Sequence, residues 1–405
     1  MLLNQLKPEY YLILLFIGVF FLTYTLLPRI RNISFKFGLF DTPEERSSHN
    51  NIVPTFGGVA FYIAIIFTVF AYQKIDVDGV IITLFTALSI MFFTGLKDDF
   101  HEISPKMKFL GQLLSVSLIM FHTEFRITSL HGFLGVYEIH PIISIIISGF
   151  LLIGLINAYN LIDGIDGMAS ITGIVVATTL GLLFYNLELY FYLAVCVALV
   201  SMLFSFLRYN FSSNKKIFMG DTGSLLIGLI LGVLTMRLLS LGFEPVSVIA
   251  ISRSEIPLLL LCILIIPAFD ISRVIFIRLS SKMPIFSPDR NHIHHVLLDA
   301  GLTHKKASIV VGFINTFIII TIYFSIKYFG LLVSLGIFLI ELFFLIYFFF
   351  VINKRFQSKK IKVKIRRFLY KILRGFVFGN KVKKFTKEHR IAFNKKLKSI
   401  RLLFF

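Results

Sequence analysis

The chain has 405 residues, of which 57% are hydrophobic, with a mean hydropathy of +0.85 and a formal net charge of +19. Apolar runs of about 20 residues recur between positions 11 and 352, which excludes a chain of soluble domains and predicts an all-α protein that crosses a membrane many times. The two cysteines, Cys196 and Cys262, both lie inside apolar runs. We therefore expect them to be core residues rather than a disulfide or a metal pair.

Eleven membrane spans are predicted from the apolar runs. They cover residues 11–27, 57–72, 80–96, 108–122, 141–156, 168–185, 190–207, 224–241, 256–277, 308–328 and 331–352. One set of loops carries most of the Lys and Arg outside the C-terminal tail, whereas the opposite loops carry only Lys74, Arg126 and Arg253. Because Lys and Arg are enriched in cytoplasmic loops, the first set is predicted to be cytoplasmic. The odd number of spans then places the N-terminus outside the cell and the C-terminus in the cytoplasm.

Residues 353–405 are predicted to form a basic tail that follows a transmembrane domain at 1–352. The tail contains 19 Lys or Arg and one acid, Glu388, and so carries nearly all of the net charge. Its apolar residues recur at helical spacing: Ile365, Phe368, Leu369, Ile372, Leu373 and Phe376. This pattern is typical of an amphipathic helix on an anionic membrane surface, and a solvated topology anchor is the alternative. The apolar stripe argues against nucleic-acid binding.

The first of four polar motifs, GLKDDFHEISP at 95–105, follows the third predicted span. Asp98 and Asp99 are adjacent, and neighbouring carboxylates raise each other's pKa unless a cation or hydrogen-bond donors compensate. A divalent cation with oxygen ligands, such as Mg²⁺, is the usual compensation, and an ordinary polar loop is the alternative. All four motifs fall at span ends on the predicted cytoplasmic side. Because ionisable groups are costly within a bilayer, this clustering predicts a reaction site.

The second motif, NAYNLIDGIDG, has an amide or acid at every third position: Asn157, Asn160, Asp163 and Asp166. Asn157 and Asn160 are predicted to share a helix face, and the two acids extend the same series. Gly164 frees the backbone beside the acids, which suits the close approach of a ligand. Helix capping or a helix break is the alternative explanation.

The third motif, FMGDTGS at 218–224, is a glycine-rich turn before an apolar run. Ser224 is predicted to cap the helix that follows. Such a turn at a helix N-terminus can bind phosphate, and Asp221 within it is well placed as a cation ligand. A simple capped turn is the alternative.

The fourth motif, SPDRNHIHH at 287–295, joins one arginine to three histidines. A zinc site would need Asp or Asn ligands beside His292, because no cysteine is near. Arg290 with His292, His294 and His295 better suits recognition of phosphate and hydroxyl groups on a ligand. A surface histidine cluster is the remaining alternative.

Taken together, the motifs resemble those of the polyprenyl-phosphate N-acetylhexosamine-1-phosphate transferases. They are most similar to the bacterial undecaprenyl-phosphate N-acetylglucosamine-1-phosphate transferases. The resemblance runs from about Phe37 to Ser308, through GLFDTPEERSSH, PTFGG, GLKDD, NAYNLIDGIDGMA, FMGDTGS, PAFD and PDRNHIHH. It also has departures: Ser47 and Ser48 precede His49 where the family often has Arg-Lys, which keeps other N-acetylated sugars open.

The resemblance implies a role for each matched residue. Asn160 and Asp221 would bind the catalytic Mg²⁺, or Mn²⁺ in its place. Asp98 and Asp99 would lie at the acceptor phosphate and the metal, and Asp163 would join them as a catalytic residue. The substrate-binding residues would be His49, Gly164, Asp166, Arg290, His292, His294 and His295. Among these, Gly164 and Asp166 would line a uracil pocket.

The implied reaction transfers a sugar-1-phosphate, GlcNAc-1-phosphate in the first place, from a UDP-sugar to undecaprenyl phosphate and releases UMP. A phosphate monoester with a second pKa of about 6 is mostly deprotonated at pH 7, so Asp98 is expected to organise the metal or the acceptor rather than act as a strong base. A one-step route and a route through a covalent aspartate intermediate both stay open.

The implied location is the bacterial cytoplasmic membrane, with the active site facing the cytoplasm. Membrane lipids and a second copy of the chain in a homodimer are the expected partners. The alternative from another class is a transporter of lipid-linked substrates, which would place ionisable residues in mid-span. Only Arg237, Asp270 and Arg273 are candidates for that, and Asp270 and Arg273, at i and i+3, could simply pair with each other.

Overall fold

The computed structural model describes residues 7–39, 52–71, 79–241, 251–284 and 292–377. Twelve α-helices occur within these ranges. They are α1 (Pro8–Lys36), α2 (Gly57–Ala71), α3 (Val80–Phe100), α4 (Pro105–Ile119), α5 (Pro141–Ile162), α6 (Met168–Asn186), α7 (Tyr190–Asn210), α8 (Gly220–Ser240), α9 (Ile256–Ile263), α10 (Ile265–Ser280), α11 (Ile293–Asp299) and α12 (His304–Val377). The predicted all-α class is confirmed, apart from a short antiparallel hairpin of β1 (Ser129–Phe133) and β2 (Val136–Glu138).

The chain is a membrane protein of several spans. Within the described ranges, seven helices are long and apolar enough to cross a membrane, and the pair α9 and α10, bent by 68°, makes eight if it counts as one span. Each predicted span coincides with one of these helices or with the shorter α2 or α4, and the last two share α12, where Gly330 leaves helical geometry. The total of eleven crossings and the orientation of the termini stay predictions.

Helix α8 lies at the centre of the helical assembly. Its apolar window is 89% buried, against 22% for that of α1, because α8 packs against α2, α3 and α5 together. A polar residue at the start of α8 is therefore enclosed by the ends of the neighbouring helices. This arrangement brings motifs that are far apart in the sequence to one place.

The chain divides into two units, Met1–Phe349 and Phe350–Phe405. The first unit contains the helical assembly and all the site residues. The second contains the C-terminal part of α12, whose backbone is helical to Val377. The predicted boundary between residues 352 and 353 stays a prediction, as does the role of the basic tail.

Candidate active site

The N-terminus of α8 is capped by a residue from another helix. Asp99, near the end of α3, accepts hydrogen bonds from the backbone N–H of Asp221 (2.7 Å) and of Thr222 (3.0 Å), and from the Thr222 hydroxyl (2.5 Å). A carboxylate at this position satisfies amides that have no partner within the helix and interacts favourably with the helix dipole. The predicted cap, Ser224, is wrong. Helix α8 begins four residues earlier, so the Ser224 hydroxyl instead donates to the carbonyl of Gly220 (3.1 Å).

Small residues allow the helix ends to meet closely at this junction. A Cβ on Gly95 of α3 would lie 2.5 Å from the Thr222 Cα atom, and one on Gly58 of α2 would lie 2.2 Å from the Gly223 nitrogen. Gly220 has a φ of +69°, a conformation that L side chains rarely adopt. The glycines of these motifs therefore bring α2 and α3 against the first turn of α8.

Asn160 and Asp221, the predicted metal ligands, are in direct contact. The Asn160 amide donates to Asp221 Oδ1 (2.5 Å) and to the Ser224 hydroxyl (2.8 Å). Asn160 is held there because α5 continues to Ile162, beyond the predicted membrane span at 141–156. Asn157, one turn earlier, instead exchanges two hydrogen bonds with Gln112 of α4 (2.9 and 3.1 Å).

Lys108 links two of the acids. Its Nζ atom lies 2.9 Å from Asp98 Oδ2 and 2.9 Å from Asp221 Oδ1. It is placed by α4, which begins after Ser104, whose side chain accepts a hydrogen bond from the amide of Met107. One ammonium group thus offsets part of the charge of the two carboxylates. Lys108 is not among the site residues predicted from the sequence.

Asp163 is the first residue after α5, so it does not continue the helix face of Asn160 as predicted. Burial, together with the negative charges of Asp221 and Asp99, raises its pKa from 3.8 to about 8. A carboxyl in such surroundings is mostly protonated at neutral pH unless a cation binds nearby. The raised pKa of Asp163 therefore reflects the excess of negative charge among the acids around it.

Asp166 is held by Lys216 and His304. Its Oδ2 atom lies 2.6 Å from Lys216 Nζ and 3.1 Å from Nδ1 of His304. Burial works against the charged form, but the hydrogen bonds from His304 and Lys216 prevail and lower the pKa of this carboxyl. Ser308 of α12 also donates to the Asp166 backbone carbonyl (2.7 Å). The turn after α5 is therefore joined to α12.

The histidine motif is anchored to α10. Asp270 accepts hydrogen bonds from His292 Nδ1 (2.9 Å) and from the backbone N–H of Ile293 (2.7 Å). The structure does not use the pairing of Asp270 with Arg273 that their spacing would allow, because His292 and Ile293 occupy both oxygens of this carboxylate. The guanidinium of Arg273 instead lies over the Phe349 ring at 5.9 Å.

The histidine rings extend from this anchor toward the turn after α5. The His292 and His294 rings are parallel with centroids 5.6 Å apart, and the His295 ring follows at 4.2 Å from that of His294. A Cβ on Gly164 would lie 2.2 Å from the Cε1 atom of His294. Gly164 and His294, both predicted substrate-binding residues, are thus in contact. His49 and Arg290, two further predicted substrate-binding residues, lie outside the described residues.

The oxygen atoms of this site suit a hard cation. Mg²⁺ prefers carboxylate and amide oxygens, and Asp98 and Asp221 already share contact with one positive group, Lys108. Among the described residues, no group of three or more His, Cys, Asp and Glu side chains could hold a metal ion. Ligands would therefore have to include the Asn160 amide, through its oxygen, or oxygens of a substrate. With that addition the donor set fits Mg²⁺.

Several residues of the site could not be found from local spacing. Lys108, Lys216, His304 and Asp270 all contact predicted site residues, but each comes from a different part of the chain. The only signal was motif membership for Asp270, in PAFD. Lys108 is the first residue of a predicted span, and Lys216 and His304 lie in predicted cytoplasmic loops, where basic residues are common.

Comparison with known proteins agrees with this arrangement. The profile of Glycosyl transferase family 4 matches residues 80–239, the segment that runs from α3 to α8. A probable undecaprenyl-phosphate N-acetylglucosaminyl 1-phosphate transferase of Bacillus subtilis (strain 168) is 30% identical over 296 residues, 71% of this chain and 77% of the relative.

Two further relatives are similar. The undecaprenyl-phosphate alpha-N-acetylglucosaminyl 1-phosphate transferase of Escherichia coli (strain K12) is 28% identical over 306 residues, covering 73% of this chain and 78% of the relative. The decaprenyl-phosphate N-acetylglucosaminephosphotransferase of Mycolicibacterium smegmatis is 28% identical over 313 residues, covering 72% and 76%.

The fold and the relatives together define the class as a membrane-embedded transferase. The chain belongs to glycosyl transferase family 4, and within it to the polyprenyl-phosphate N-acetylhexosamine-1-phosphate transferases. The family resemblance predicted from the motifs is confirmed.

Proposed function

We propose that this protein transfers GlcNAc-1-phosphate from UDP-GlcNAc to undecaprenyl phosphate and releases UMP. The observation that carries the proposal is the junction at the start of α8, where Asp98, Asp221 and Asn160 meet around Lys108. Both substrates are anions, and the transfer requires charge on phosphate oxygens to be offset while the reacting groups are held in line. The names of the relatives support the acceptor and the sugar.

We assign Asp221 and Asn160, with Asp98, as the residues that would hold Mg²⁺, or Mn²⁺ in its place. When bound, such an ion offsets charge on the diphosphate and on departing UMP. The chain's own contribution is the fixed position of these oxygens. Asp99 provides it by holding the backbone of Asp221 and Thr222, so Asp99 acts as a positioning residue.

Lys108 is assigned to the phosphates. A lysine ammonium is a compact charge with three donors and commonly binds phosphate oxygens. It now lies between Asp98 and Asp221, and substrate phosphates entering the site would take up its donors. The lipid phosphate needs little help from a base, since its second pKa of about 6 leaves it mostly deprotonated at pH 7. Asp98 therefore organises the site, and a single in-line step suffices.

The donor is proposed to lie between the turn after α5 and the histidine motif. Gly164 and Asp166 would border the uracil, and His292, His294 and His295 with Arg290 would hold the sugar and the diphosphate. The contact between Gly164 and the His294 ring supports a shared pocket. His49 is assigned to the substrate from its motif alone.

The intramembrane charges favour an enzyme over a transporter of lipid-linked substrates. Arg237 Nε lies 3.4 Å from Glu124 Oε2, and its guanidinium lies over the Tyr192 ring at 5.4 Å. Asp270 binds the histidine motif. All three candidate mid-span charges thus have partners within the protein, since the guanidinium of Arg273 lies over the Phe349 ring.

The substrate is tested with purified protein, undecaprenyl phosphate, Mg²⁺ and a panel of UDP-sugars. UDP-GlcNAc should give UMP and a lipid-linked product in equal amounts, and EDTA should stop both. Faster turnover of another UDP-N-acetylhexosamine or its deoxy form would keep the reaction and change the sugar. An absence of UMP with every donor would overturn the proposal.

The proposed location is the bacterial cytoplasmic membrane with the site facing the cytoplasm, and the proposed assembly is a homodimer. Both native cysteines are buried, so introduced cysteines can be labelled selectively. Ser213→Cys and Ser358→Cys should resist an impermeant thiol reagent in intact cells, whereas Asp76→Cys should react. The reverse pattern would invert the orientation. Cross-linking in native membranes should give a dimer band, and a monomer alone would rule out the dimer.

A further inference from the structure

Asp270 is a buried carboxylate that takes no direct part in the proposed reaction. Its exposed fraction is 2%, and both oxygens are occupied, one by His292 Nδ1 and the other by the N–H of Ile293. Asp270 belongs to α10, while both partners lie at the start of α11, within the histidine motif. One side chain therefore fixes a ring and a backbone group together.

The chemistry of Asp270 dictates the state of His292. An ionised carboxylate only accepts hydrogen bonds, so Nδ1 of His292 must carry the proton that it donates. The Nε2 atom is then the ring nitrogen that is left to meet other groups, and in the neutral ring it is an acceptor. Aspartate suits this position better than asparagine, because both of its partners are donors.

The effect of Asp270 extends through ring contacts to the donor pocket. The His292 ring lies parallel to that of His294, at an interplanar angle of 1°, and both histidines are buried. The His294 ring in turn lies against Gly164. Contacts therefore run from α10 through two histidines to the turn after α5. A shift of His292 would move His294 at the place where the UDP-sugar is proposed to bind.

We infer that Asp270 is a positioning residue for donor recognition: it holds His292 in the Nδ1–H tautomer and, through His294, sets the histidine motif against Gly164. This role rests on the proposed function. It assigns Asp270 no contact with substrate. Groups that orient a metal-binding histidine typically matter 10- to 100-fold for affinity or activity, and by analogy we expect an effect on the order of tenfold or more for His292.

Asp270→Asn tests the inference with little change in volume. Asparagine has one acceptor oxygen for two donors, so if that oxygen keeps Ile293 N–H, its NH₂ group faces Nδ1 and favours the Nε2–H tautomer. We expect KM for the UDP-sugar to rise about 10- to 100-fold, while KM for undecaprenyl phosphate stays within about twofold. Asp299→Asn, at the exposed end of α11, is the matched control and should leave both constants unchanged.

A double-mutant cycle separates positioning from a general loss of structure. Asp270→Asn should have little further effect in a His292→Ala background, because the residue acts through that ring. Equal effects in both backgrounds, or a rise in both KM values in proportion to lost thermal stability, would overturn the inference. So would Asp270→Asn kinetics within about twofold of those of the unaltered protein.

The tautomer itself can be measured without turnover. In protein labelled with ¹⁵N-histidine, the resonance that disappears in His292→Ala should show a protonated Nδ1, and in Asp270→Asn it should show a protonated Nε2. An Nε2–H tautomer in the unaltered protein would overturn the inference even if the enzyme is active. Conversely, a protein with this Nδ1–H signal that transfers no sugar phosphate would contradict the proposed function and leave the role of Asp270 in orienting His292 intact.

Discussion

The two ends of α8 both hold charged side chains, but their charges are balanced differently. Near the C-terminal end, Arg237 lies against Glu124 and the Tyr192 ring, so one cation meets one anion. Among the described residues at the N-terminal end, one cation, Lys108, lies with four acids: Asp98, Asp99, Asp163 and Asp221. In the first group, the positive and negative charges balance each other within the protein. The second has an excess of negative charge, which a divalent cation would offset.

A buried charged side chain therefore indicates function when the charges of its partners do not balance its own charge. Ion pairs such as Arg237 with Glu124 orient helices and contribute modestly to stability. An unbalanced cluster is costly, so it persists where a ligand completes it. Substitutions at the two ends of α8 should therefore have different consequences.

The largest expected effect is at Asp221. Asp221→Asn removes a charge from the proposed cation site while keeping the side-chain shape, and we expect kcat to fall about 100- to 1000-fold. Asn160→Ala should act in the same direction. Glu124→Gln at the opposite end of α8 is the control and should keep kcat within about twofold. Turnover assays at saturating Mg²⁺ decide this. Near-normal turnover in Asp221→Asn would remove the distinction between the two ends.

The variant Lys108→Met tests whether the excess of negative charge at this end of α8 attracts a cation. The lysine charge competes with a cation for Asp98 and Asp221, so its loss should lower the Mg²⁺ concentration needed for half-maximal activity. Because a phosphate-binding group is lost as well, kcat should fall about 10- to 100-fold. Lys106→Met, an exposed residue of the same helix, should change neither value. A higher Mg²⁺ requirement in Lys108→Met would contradict the proposed competition.

Gly164→Ala probes the contact with His294. The added methyl would lie 2.2 Å from the Cε1 atom of the His294 ring, whereas Gly154, in the preceding helix α5, has no atom within 4 Å of the corresponding position. The ring must shift, so we expect kcat/KM for the UDP-sugar to fall about 10- to 100-fold. Gly154→Ala should leave it unchanged. Equal kinetics for the two variants would mean that His294 does not contribute to donor binding.

The smallest effect is a dependence of stability on pH that comes from Asp163. Its pKa is about 8 in the folded protein against 3.8 for a free side chain, so the folded state keeps a proton that the unfolded chain releases. Its contribution is fully present below about pH 4 and is lost as the pH rises through 8. In EDTA, Asp163→Asn should gain stability relative to the unaltered protein between pH 5 and pH 9.

Thermal unfolding at several pH values measures that difference, which we expect to be about 1–3 kcal/mol after allowing for partial contact with solvent. Adding Mg²⁺ should reduce it, because a cation near Asp221 removes part of the repulsion. Parallel stability curves for the two proteins in EDTA would show that Asp163 is already ionised at neutral pH.

The sequence predicted the helices and the meeting of the motifs well. Apolar runs near 20 residues identify spans reliably, and polar residues at span ends on one side must lie close together once the helices pack. The family resemblance, rather than this spacing, implied that Asn160 and Asp221 bind the same metal ion. The structure shows them in contact at the start of α8.

The contacts made from other helices could not be predicted. Asp99 caps α8 across 122 positions of sequence, and local spacing pointed instead to Ser224. Asp270 could have paired with Arg273, one turn away in the sequence. Because α10 packs against the histidine motif, Asp270 instead binds His292, which is distant in the sequence. Local patterns identify which groups are polar, whereas tertiary packing determines which partner each group finds.

The most direct test of the central claim follows the fate of the donor's β-phosphorus. Purified protein would be given UDP-GlcNAc labelled with ³²P at the β position, undecaprenyl phosphate and Mg²⁺. We expect the label to move into the lipid fraction. The released nucleotide should be unlabelled UMP, in an amount equal to that of the labelled lipid. Label that stays in a water-soluble nucleotide such as UDP, while the sugar alone reaches the lipid, would contradict it.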